Sequence, residues 1–211
     1  MITPELPGNG VDTTPPGQVT LATYTEAIGI AVKAAAEPVI LVGHSMAGIV
    51  ISSVAELMPE NVRKLVYLAA FMLPDGLSIL EFYARYATAT MQGARAALQL
   101  SADGTYSTID PEQAKQLFMN TCSPEIVATG ASHLGPQPAQ PRKDPVHVTA
   151  ARWGNVPRIY FSTLRDNTVF PLLQQRMYNE LAPCPVIAFD SDHSPFYSMP
   201  RQLSEALLVL A

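Results

Sequence analysis

The stretch that decides the fold reads Val39-Ile40-Leu41-Val42-Gly43-His44-Ser45-Met46-Ala47-Gly48. Its first four residues form a continuous apolar run without the alternation of a half-exposed strand, which is typical of a strand buried on both faces of a parallel sheet. Pro38 precedes this run, and the apolar residues that follow the run predict a helix over residues 47–57. Ser45 is therefore expected at a tight turn between a strand and a helix.

The same alternation of strands and helices continues on both sides of this turn. A helix is predicted before it, over residues 21–36, with Thr20 as its N-cap. Further elements are predicted after it: strands over residues 62–70, 158–162 and 185–189, and helices over residues 171–181 and 200–210. Repeated strand–helix–strand units favour an α/β fold with a mostly parallel sheet and helices on both faces.

Residues 74–152 interrupt this alternation. Helical stretches are predicted there over residues 79–100, 111–120 and 124–129, separated by Asp103-Gly104 and by the proline-rich residues 135–138. We interpret the segment as a helical cap inserted into the core. The predicted division is a core of residues 1–73 and 153–211 and a cap of residues 74–152. A second small helical domain is the alternative.

The composition excludes several classes of protein. Hydrophobic residues make up 48% of the 211 residues and charged residues 15%, which suits one domain with a large core and not a disordered chain. The 13 Lys and Arg residues are scattered and the formal net charge is −5, so nucleic acid is not an expected partner. No apolar run approaches the roughly 20 residues of a membrane-spanning helix, so a membrane is not expected as a partner either.

Location and cofactors are predicted from what the sequence does not contain. The first residues show neither the basic nor the apolar region of a secretory signal, and two cysteines make no disulfide framework, so a cytoplasmic location is expected. Neither an H-E-x-x-H nor a C-x-x-C motif occurs, so we expect no metal site and no cofactor.

The turn at Ser45 also carries a chemical signal. Gly43-His44-Ser45-Met46-Ala47 follows the G-x-S-x-G pattern of a nucleophile elbow, with alanine in place of the last glycine. Small residues at the two ends of this pattern allow a sharp turn with the serine hydroxyl exposed, and the helix N-terminus beyond it offers free N–H groups to a developing oxyanion. The structural alternative is that Ser45 is an ordinary helix N-cap.

A serine nucleophile needs a base and a carboxylate that orients the base, and the chain supplies both in a suitable order. Asp166 comes directly after the predicted strand 158–162, and His193 after the predicted strand 185–189. Because the sites of α/β sheets lie at the carboxyl ends of their strands, Ser45, Asp166 and His193 are expected to meet there. Taken alone, Asp166 and His193 could each also be an ordinary loop residue.

Other residues compete for the roles of base and orienter. They are Asp190, Asp192, His44, His133 and His147. The two aspartates lie directly before His193 in the chain, and this adjacency makes them poor orienters of its Nδ1. The first of the histidines adjoins Ser45 and is expected to point elsewhere, while the other two lie in the predicted cap.

The chain resembles a known family in these same segments. They are the elbow, the loop Leu164-Arg165-Asp166-Asn167 and the ending Asp192-His193-Ser194-Pro195-Phe196-Tyr197-Ser198-Met199-Pro200. The chain is similar, from about Pro4 to Ala211 and loosely in the cap, to the α/β-hydrolase superfamily and within it to plant methylesterases, hydroxynitrile lyases and related bacterial esterases. The resemblance implies the following roles: Ser45 as nucleophile, His193 as base, Asp166 as its orienter and the backbone N–H of Met46 as an oxyanion donor.

One feature of that family has no match here. Its members begin with a strand that ends in a His-Gly motif, whose loop supplies the other oxyanion donor, and this chain starts at a later point and contains no such loop. We therefore expect an N-terminally shortened α/β-hydrolase fold in which the strand of residues 39–42 lies at an edge of the sheet. An exposed edge can pair with another chain, which opens the way to a homo-oligomer through this edge.

The resemblance implies hydrolysis of small carboxylic esters through an acyl-enzyme intermediate, with a small-molecule ester as the substrate. Hydroxynitrile lyases use the same triad but carry a lysine directly after the base, where this chain has Ser194. Two alternatives stay open: such a lyase, and a ligand-binding or impaired member that lacks the full oxyanion hole.

Overall fold

The computed structural model describes residues 1–210, with Arg95 by its backbone alone. Residue 211, the last of the predicted core, lies outside the described residues. The strands are β1 (Val39–His44), β2 (Val62–Leu68), β3 (Leu98–Leu100), β4 (Tyr106–Ile109), β5 (Gln137–Pro138), β6 (Arg158–Thr163) and β7 (Val186–Phe189). The helices are α1 (Leu21–Lys33), α2 (Ala47–Leu57), α3 (Ile79–Tyr86), α4 (Ala89–Arg95), α5 (Pro111–Phe118), α6 (Pro124–Ser132), α7 (Pro171–Gln175), α8 (Pro195–Ser198) and α9 (Pro200–Leu208).

Shorter helical turns complete the backbone. A π-helical turn, Arg176–Leu181, continues α7, and 3-10 turns lie at Pro16–Gln18, Pro59–Asn61, Gln140–Arg142 and Trp153–Asn155. Within residues 1–210, no helix combines the length and the apolar character needed to cross a bilayer.

Four parallel strands form the central sheet in the order β1-β2-β6-β7. The register pairs Val42 with Val66, Leu68 with Phe161 and Thr163 with Phe189. Parallel neighbours need crossover connections, and helix α2 connects β1 to β2 while α7 connects β6 to β7. This confirms the predicted α/β fold with a parallel sheet.

The side chains of β2 alternate between two apolar clusters, one on each face of the sheet. Leu65 and Tyr67 belong to the larger cluster, which includes residues of α1, α2 and α7. Val66 and Leu68 belong to the smaller cluster, which includes Leu203 of α9. Since successive side chains of a strand point to opposite faces, helices cover both faces of the sheet, as predicted.

Strand β1 lies at one edge of the described sheet, with β2 as its neighbour. Its Val42 side chain is 44% exposed, whereas Leu65 and Val66 of β2 are fully buried. The interpretation of residues 39–42 as a strand buried on both faces is therefore wrong, because an edge position leaves part of the apolar run open. Burial on both faces is the property of β2 instead.

The predicted helix over residues 79–100 is divided by a break at residues 87–88, and it is wrong at its end, where residues 98–100 form a strand. Helices α3 and α4 occupy the first part, and β3 then pairs antiparallel with β4, which pairs with β5. The reason is the turn at Asp103: its carboxylate accepts hydrogen bonds from the Ser101 hydroxyl at 2.6 Å and the Thr105 N–H at 3.1 Å. Gly104 follows with φ +71°, and an Asp-Gly turn of this kind joins the strands of a hairpin.

Most core elements differ from prediction only at their ends. Thr20 is the N-cap of α1 and accepts a hydrogen bond from the Thr23 N–H at 3.2 Å, but the helix ends at Lys33 and not at residue 36. Strand β2 ends at Leu68 because Ala69 has φ +45°, a conformation that a strand does not contain.

Gly48 tests how closely α2 approaches the chain after β2. A Cβ at this buried position would lie 2.4 Å from the Phe71 carbonyl oxygen, so Gly48→Ala forces the two backbones apart. We expect the free energy of unfolding to fall by about 1–3 kcal/mol, as in other overpacked cores. Gly93→Ala in α4 is the control, because a Cβ there meets no atom within 4 Å and alanine favours a helix. Urea unfolding with equal midpoints for the two variants would contradict this.

Candidate active site

Ser45 has a backbone conformation that few residues other than glycine adopt. Its φ is +55°, in the left-handed region, where such a residue is strained by about 1–3 kcal/mol. Two hydrogen bonds hold it there: its N–H donates to the Leu68 carbonyl at 3.2 Å, and its carbonyl accepts from the Phe71 N–H at 3.0 Å. Ser45 is thus fixed between the ends of β1 and β2, and it lines a cavity.

The turn requires a residue without a side chain at position 43. A Cβ on Gly43 would lie 2.7 Å from the Ala47 carbonyl oxygen and 2.9 Å from the Ile51 side chain. The crowded atoms of residue 47 belong to its backbone. Alanine in the place of the pattern's last glycine is therefore compatible with the turn.

Met46 places an N–H group next to Ser45 at the start of α2. It is the N-cap of that helix and lines the same cavity. Among the hydrogen bonds of residues 1–210, none is donated by the Met46 N–H, whereas the N–H groups of Ser45 and Gly48 both have acceptors. Because a helix N-terminus carries partial positive charge, this N–H suits a developing negative charge.

Asp166 and His193 meet across the ends of two neighbouring strands. His193 Nδ1 lies 2.8 Å from Asp166 Oδ2, and the two side chains are 3% and 0% exposed. Asp166 follows β6 and His193 follows β7, and the carboxyl ends of these parallel strands lie side by side. A hydrogen bond at Nδ1 leaves Nε2 as the ring nitrogen that can accept a proton.

The Asp166 carboxylate is held by further hydrogen bonds. Oδ1 accepts from the N–H groups of Thr168 and Val169 at 2.7 and 2.9 Å. Oδ2 accepts from the Thr163 hydroxyl at 2.9 Å and the Gln174 amide at 3.2 Å. These bonds replace the water that a buried carboxylate loses, so they fix its position. No local motif marks the fully buried Gln174 for this role.

The two aspartates that precede His193, Asp190 and Asp192, have other partners. Asp190 pairs with Arg165 at the surface, with 2.6 Å between Oδ1 and Nε. Asp192 is fully buried and accepts hydrogen bonds from the Thr121 N–H and hydroxyl at 2.9 and 2.7 Å. Asp192 therefore ties the turn between α5 and α6 to the loop that carries His193, and no sequence motif indicates this contact.

Among the described hydrogen bonds, the His44 ring makes none to Ser45, and it packs directly against His193. Its Nε2 lies 2.7 Å from the His193 carbonyl oxygen, and because a carbonyl only accepts, Nε2 is the donor. Although part of its surface reaches solvent, the ring lies between those of His193 and Phe196, with centroids 4.5 and 5.1 Å away. Desolvation and, second, the neighbouring His193 lower the pKa of His44 to about 3. His44 is thus a neutral donor that holds the backbone of the His193 loop.

The remaining two histidines lie apart from this pair. His133 lines the cavity beside Ser45. His147 is exposed and pairs with Asp75, with 3.4 Å between Nδ1 and Oδ1.

A cavity of about 560 Å³ opens beside Ser45. Its apolar lining includes Phe71, Ile79, Tyr83, Leu117, Phe118 and Leu134. Phe118 also packs against His193, with ring centroids 5.8 Å apart. The volume suits a small organic molecule, for which binding cavities measure about 300–1,000 Å³.

Ser45 lines the cavity and His193 contacts the lining residue Phe118, but the described hydrogen bonds do not join Ser45 to His193. The hydrogen bonds found across the described part of the chain include none between the Ser45 hydroxyl and the His193 ring. Catalytic hydrogen bonds are often long without a substrate and tighten when it binds. The contact of His44 with the ring nevertheless brings the residue before Ser45 against His193.

A parallel sheet with a strained serine after one strand and a buried Asp–His pair after two others has the architecture of an α/β-hydrolase. The chain belongs to the alpha/beta hydrolase family, whose model matches residues 1–206. The family indicated by the sequence resemblance is thereby confirmed.

Several relatives are ester hydrolases by name. Methylesterase 11 of Arabidopsis thaliana, named as chloroplastic, is 33% identical over 181 residues, which are 83% of this chain and 46% of the relative. A pyrethroid hydrolase of Sphingobium wenxiniae is 28% identical over 199 residues, which are 90% of this chain and 69% of the relative. The chain spans about half the length of several plant relatives that it matches.

Solved structures share the same fold. A pyrethroid hydrolase from Sphingobium faniae JZ-2 has a TM-score of 0.83 at 25% identity, over 95% of this chain and 81% of that one. Polyneuridine aldehyde esterase has a TM-score of 0.84 at 21% identity, over 98% of this chain and 86% of that one, which shows the fold alone. These likenesses confirm the predicted α/β-hydrolase fold.

His44 makes the stability of the protein depend on pH. Its pKa is about 3 in the folded protein against 6.5 ordinarily, so the unfolded state binds a proton first as the pH falls. The contribution of His44 is fully present above about pH 6.5 and is lost as the pH falls towards about 3. We expect His44→Gln, which keeps a donor and does not titrate, to lose less stability than the wild type in this window.

Thermal unfolding midpoints at several pH values measure this difference. His133→Gln, which removes an exposed histidine whose ring makes no hydrogen bond or ion pair among those described, is the matched control and should follow the wild type. Parallel pH curves for the wild type and His44→Gln would mean that His44 is not held neutral by the fold.

Proposed function

We propose that the protein hydrolyses small carboxylic esters through an acyl-enzyme intermediate, with Ser45 as nucleophile, His193 as base and Asp166 as orienter. The observation that carries the proposal is the buried hydrogen bond of 2.8 Å between His193 and Asp166, at the end of the sheet where the strained Ser45 lines a cavity. Serine, aspartate and histidine follow one another in the chain in the order used by this fold.

Acylation starts when Ser45 Oγ attacks the carbonyl carbon of the ester and its proton passes to His193 Nε2. Asp166 holds the resulting imidazolium through Nδ1. The Met46 N–H donates a hydrogen bond to the oxyanion of the tetrahedral intermediate. The carbon–oxygen bond to the alcohol then breaks, and the alcohol leaves with the proton from His193.

Deacylation uses the same groups in the reverse direction. Water attacks the acyl group on Ser45 and gives a proton to His193 Nε2. The second tetrahedral intermediate collapses, the carboxylic acid leaves and Ser45 regains its proton. The proposal includes no cofactor.

The names of the relatives support ester hydrolysis. They are called methylesterases in Arabidopsis thaliana and pyrethroid hydrolases in Sphingobium. A cytoplasmic location stays a prediction from the sequence, since the word chloroplastic in the plant names describes those proteins.

The residue after the base favours hydrolysis over cyanohydrin cleavage. Lyases of the resembling branch carry a lysine there, and this chain has Ser194. Ser194 is 4% exposed, and its N–H donates to Asp192 Oδ1 at 3.0 Å, so the position offers a small buried hydroxyl and no cation.

We also propose that residues 74–152 act as a cap over the site. Helices α3 and α5 of this segment contribute lining residues of the cavity. The Tyr83 hydroxyl donates to the Thr168 carbonyl, and Thr121 binds Asp192. The segment thus contacts the two loops that carry Asp166 and His193.

Replacing the proposed nucleophile tests the function. We expect Ser45→Ala to lower kcat/KM for a p-nitrophenyl ester by roughly 10⁴- to 10⁶-fold while the protein stays folded. Ser53→Ala is the matched control, because this serine lies on α2 and, within residues 1–210, its hydroxyl has the Ile49 carbonyl as its one described partner, at 2.9 Å. A Ser45→Ala variant that keeps a large share of the activity rules Ser45 out. If the wild-type protein neither hydrolyses the ester nor is labelled at Ser45 by a fluorophosphonate, the result favours the ligand-binding alternative.

We further propose that copies of the chain associate through the edge strand β1. Edge strands present N–H and C=O groups that another strand can bind, and Val42 adds an apolar side chain that is 44% exposed. We expect light scattering to show a dimer or a larger species, and Val42→Lys to shift it towards the monomer. Leu208→Lys, which adds the same charge to the exposed end of α9, should not. A wild type that stays monomeric at all concentrations contradicts the proposal.

A further inference from the structure

We propose that the substrate is an ester that carries a carboxylate away from its scissile bond, and that Arg142 binds this carboxylate. The inference rests on the proposed ester hydrolysis and specifies its substrate class. It follows from the chemistry of the cavity beside Ser45, because Arg142 is part of the wall of this cavity.

Arg142 is the single permanently charged side chain among those described as lining this cavity. The described lining also contains no aspartate or glutamate. An anionic group in the cavity therefore meets attraction from Arg142 and no repulsion from a carboxylate of the wall. A neutral ligand would instead take water from the guanidinium without replacing its favourable interactions, which is costly for a charged group.

Arg142 is held next to a second hydrogen-bonding group. It ends the 3-10 turn Gln140–Arg142, and its Nη2 donates to Ser107 Oγ on β4 at 2.7 Å. Ser107 is 4% exposed and lines the cavity too. A hydroxyl that accepts from arginine still has its own O–H to donate. A guanidinium with a neighbouring hydroxyl donor suits a carboxylate, which accepts at two oxygens.

The polar wall continues beyond these two residues. Gln137, which pairs with Ser107 between β4 and β5, and Asn9 both line the cavity and donate to the Tyr24 hydroxyl at 3.1 and 2.8 Å. Burial raises the pKa of Tyr24, while these two hydrogen bonds and the charge of Arg142 lower it. The effect of burial is the larger one, so the pKa lies above its ordinary value. The phenol thus stays neutral and does not cancel the positive charge of Arg142.

The remaining lining explains why the ligand is also an ester with an apolar part. Phe71, Ile79, Leu117 and Phe118 line the same cavity of about 560 Å³ together with Ser45. A molecule with the scissile ester at Ser45 and a carboxylate at Arg142 would place a short hydrocarbon chain against these side chains. The carboxylate belongs either to the acid part, as in a half-ester of a dicarboxylic acid, or to the alcohol part.

Two matched pairs of esters test the inference and separate these two sources. The acid part of monoethyl adipate ends in a carboxylate, and the acid part of ethyl hexanoate ends in a methyl group. The alcohol part of δ-acetoxyvalerate ends in a carboxylate, and the alcohol part of pentyl acetate ends in a methyl group. We expect kcat/KM of the wild type to favour the charged member of at least one pair by roughly 10- to 100-fold, mainly through KM.

Variants of Arg142 connect that preference to the residue. We expect Arg142→Met to lower the charged-to-neutral ratio of kcat/KM to near unity, and Arg142→Lys to lower it partly, since an ammonium keeps the charge and loses the planar fork. Lys143→Met is the matched control: it removes the same charge from the adjacent, exposed position and should leave the ratio unchanged. If Arg142→Met fails to fold, inhibition of the wild type is measured instead. We expect adipate to inhibit more strongly than hexanoate, and equal inhibition contradicts the inference.

The outcomes separate this inference from the function on which it rests. Hydrolysis of the neutral esters without preference for the charged ones overturns the carboxylate inference and leaves ester hydrolysis in place. A preference that survives in folded Arg142→Met overturns the role of Arg142. Hydrolysis of the p-nitrophenyl ester without hydrolysis of any of the four esters overturns the carboxylate inference alone. No hydrolysis of any of these five esters defeats the proposed function itself.

Discussion

A serine in the left-handed region needs support from its surroundings, because a conformation strained by about 1–3 kcal/mol relaxes wherever its neighbours allow it. At Ser45 the support comes from the end of β2, whose Leu68 carbonyl and nearby Phe71 N–H both bind its backbone. Close packing also leaves no room for a Cβ on two glycines, because Gly43 lies against Ala47 and Ile51 of α2 and Gly48 lies against the backbone of Phe71. Strand β1, strand β2 and helix α2 are thus packed around one residue, and the glycines of the turn follow from that packing.

The turn also connects the proposed nucleophile to the proposed base. His44 ends β1 one residue before Ser45, and it donates a hydrogen bond to the backbone of His193. Because His44 stays neutral at ordinary pH, it adds no positive charge beside the imidazolium that would form on His193. The charge that faces this imidazolium is the Asp166 carboxylate, which five hydrogen bonds hold in place, one of them from His193.

Core and cap have different chemical roles in the proposals made above. The core positions the groups that would make and break bonds, and these groups lie on loops after parallel strands. Residues 74–152 supply Arg142 and much of the apolar wall, which would select the ester. The buried Asp192 accepts two hydrogen bonds from Thr121, so the loop that carries His193 and the segment 74–152 are held to each other.

The sequence alone determined the features that depend on local pattern. The strand–turn–helix at Ser45, the bounds of α2 and the places of Asp166 and His193 after β6 and β7 follow from apolar periodicity and from residues that favour turns. Only the tertiary structure decided the contact of His44 with His193 and the bond between Thr121 and Asp192, 71 positions apart. It also decided that β3 is a strand. Such contacts depend on how distant segments pack, and packing of that kind leaves no periodic signal in the segments that take part.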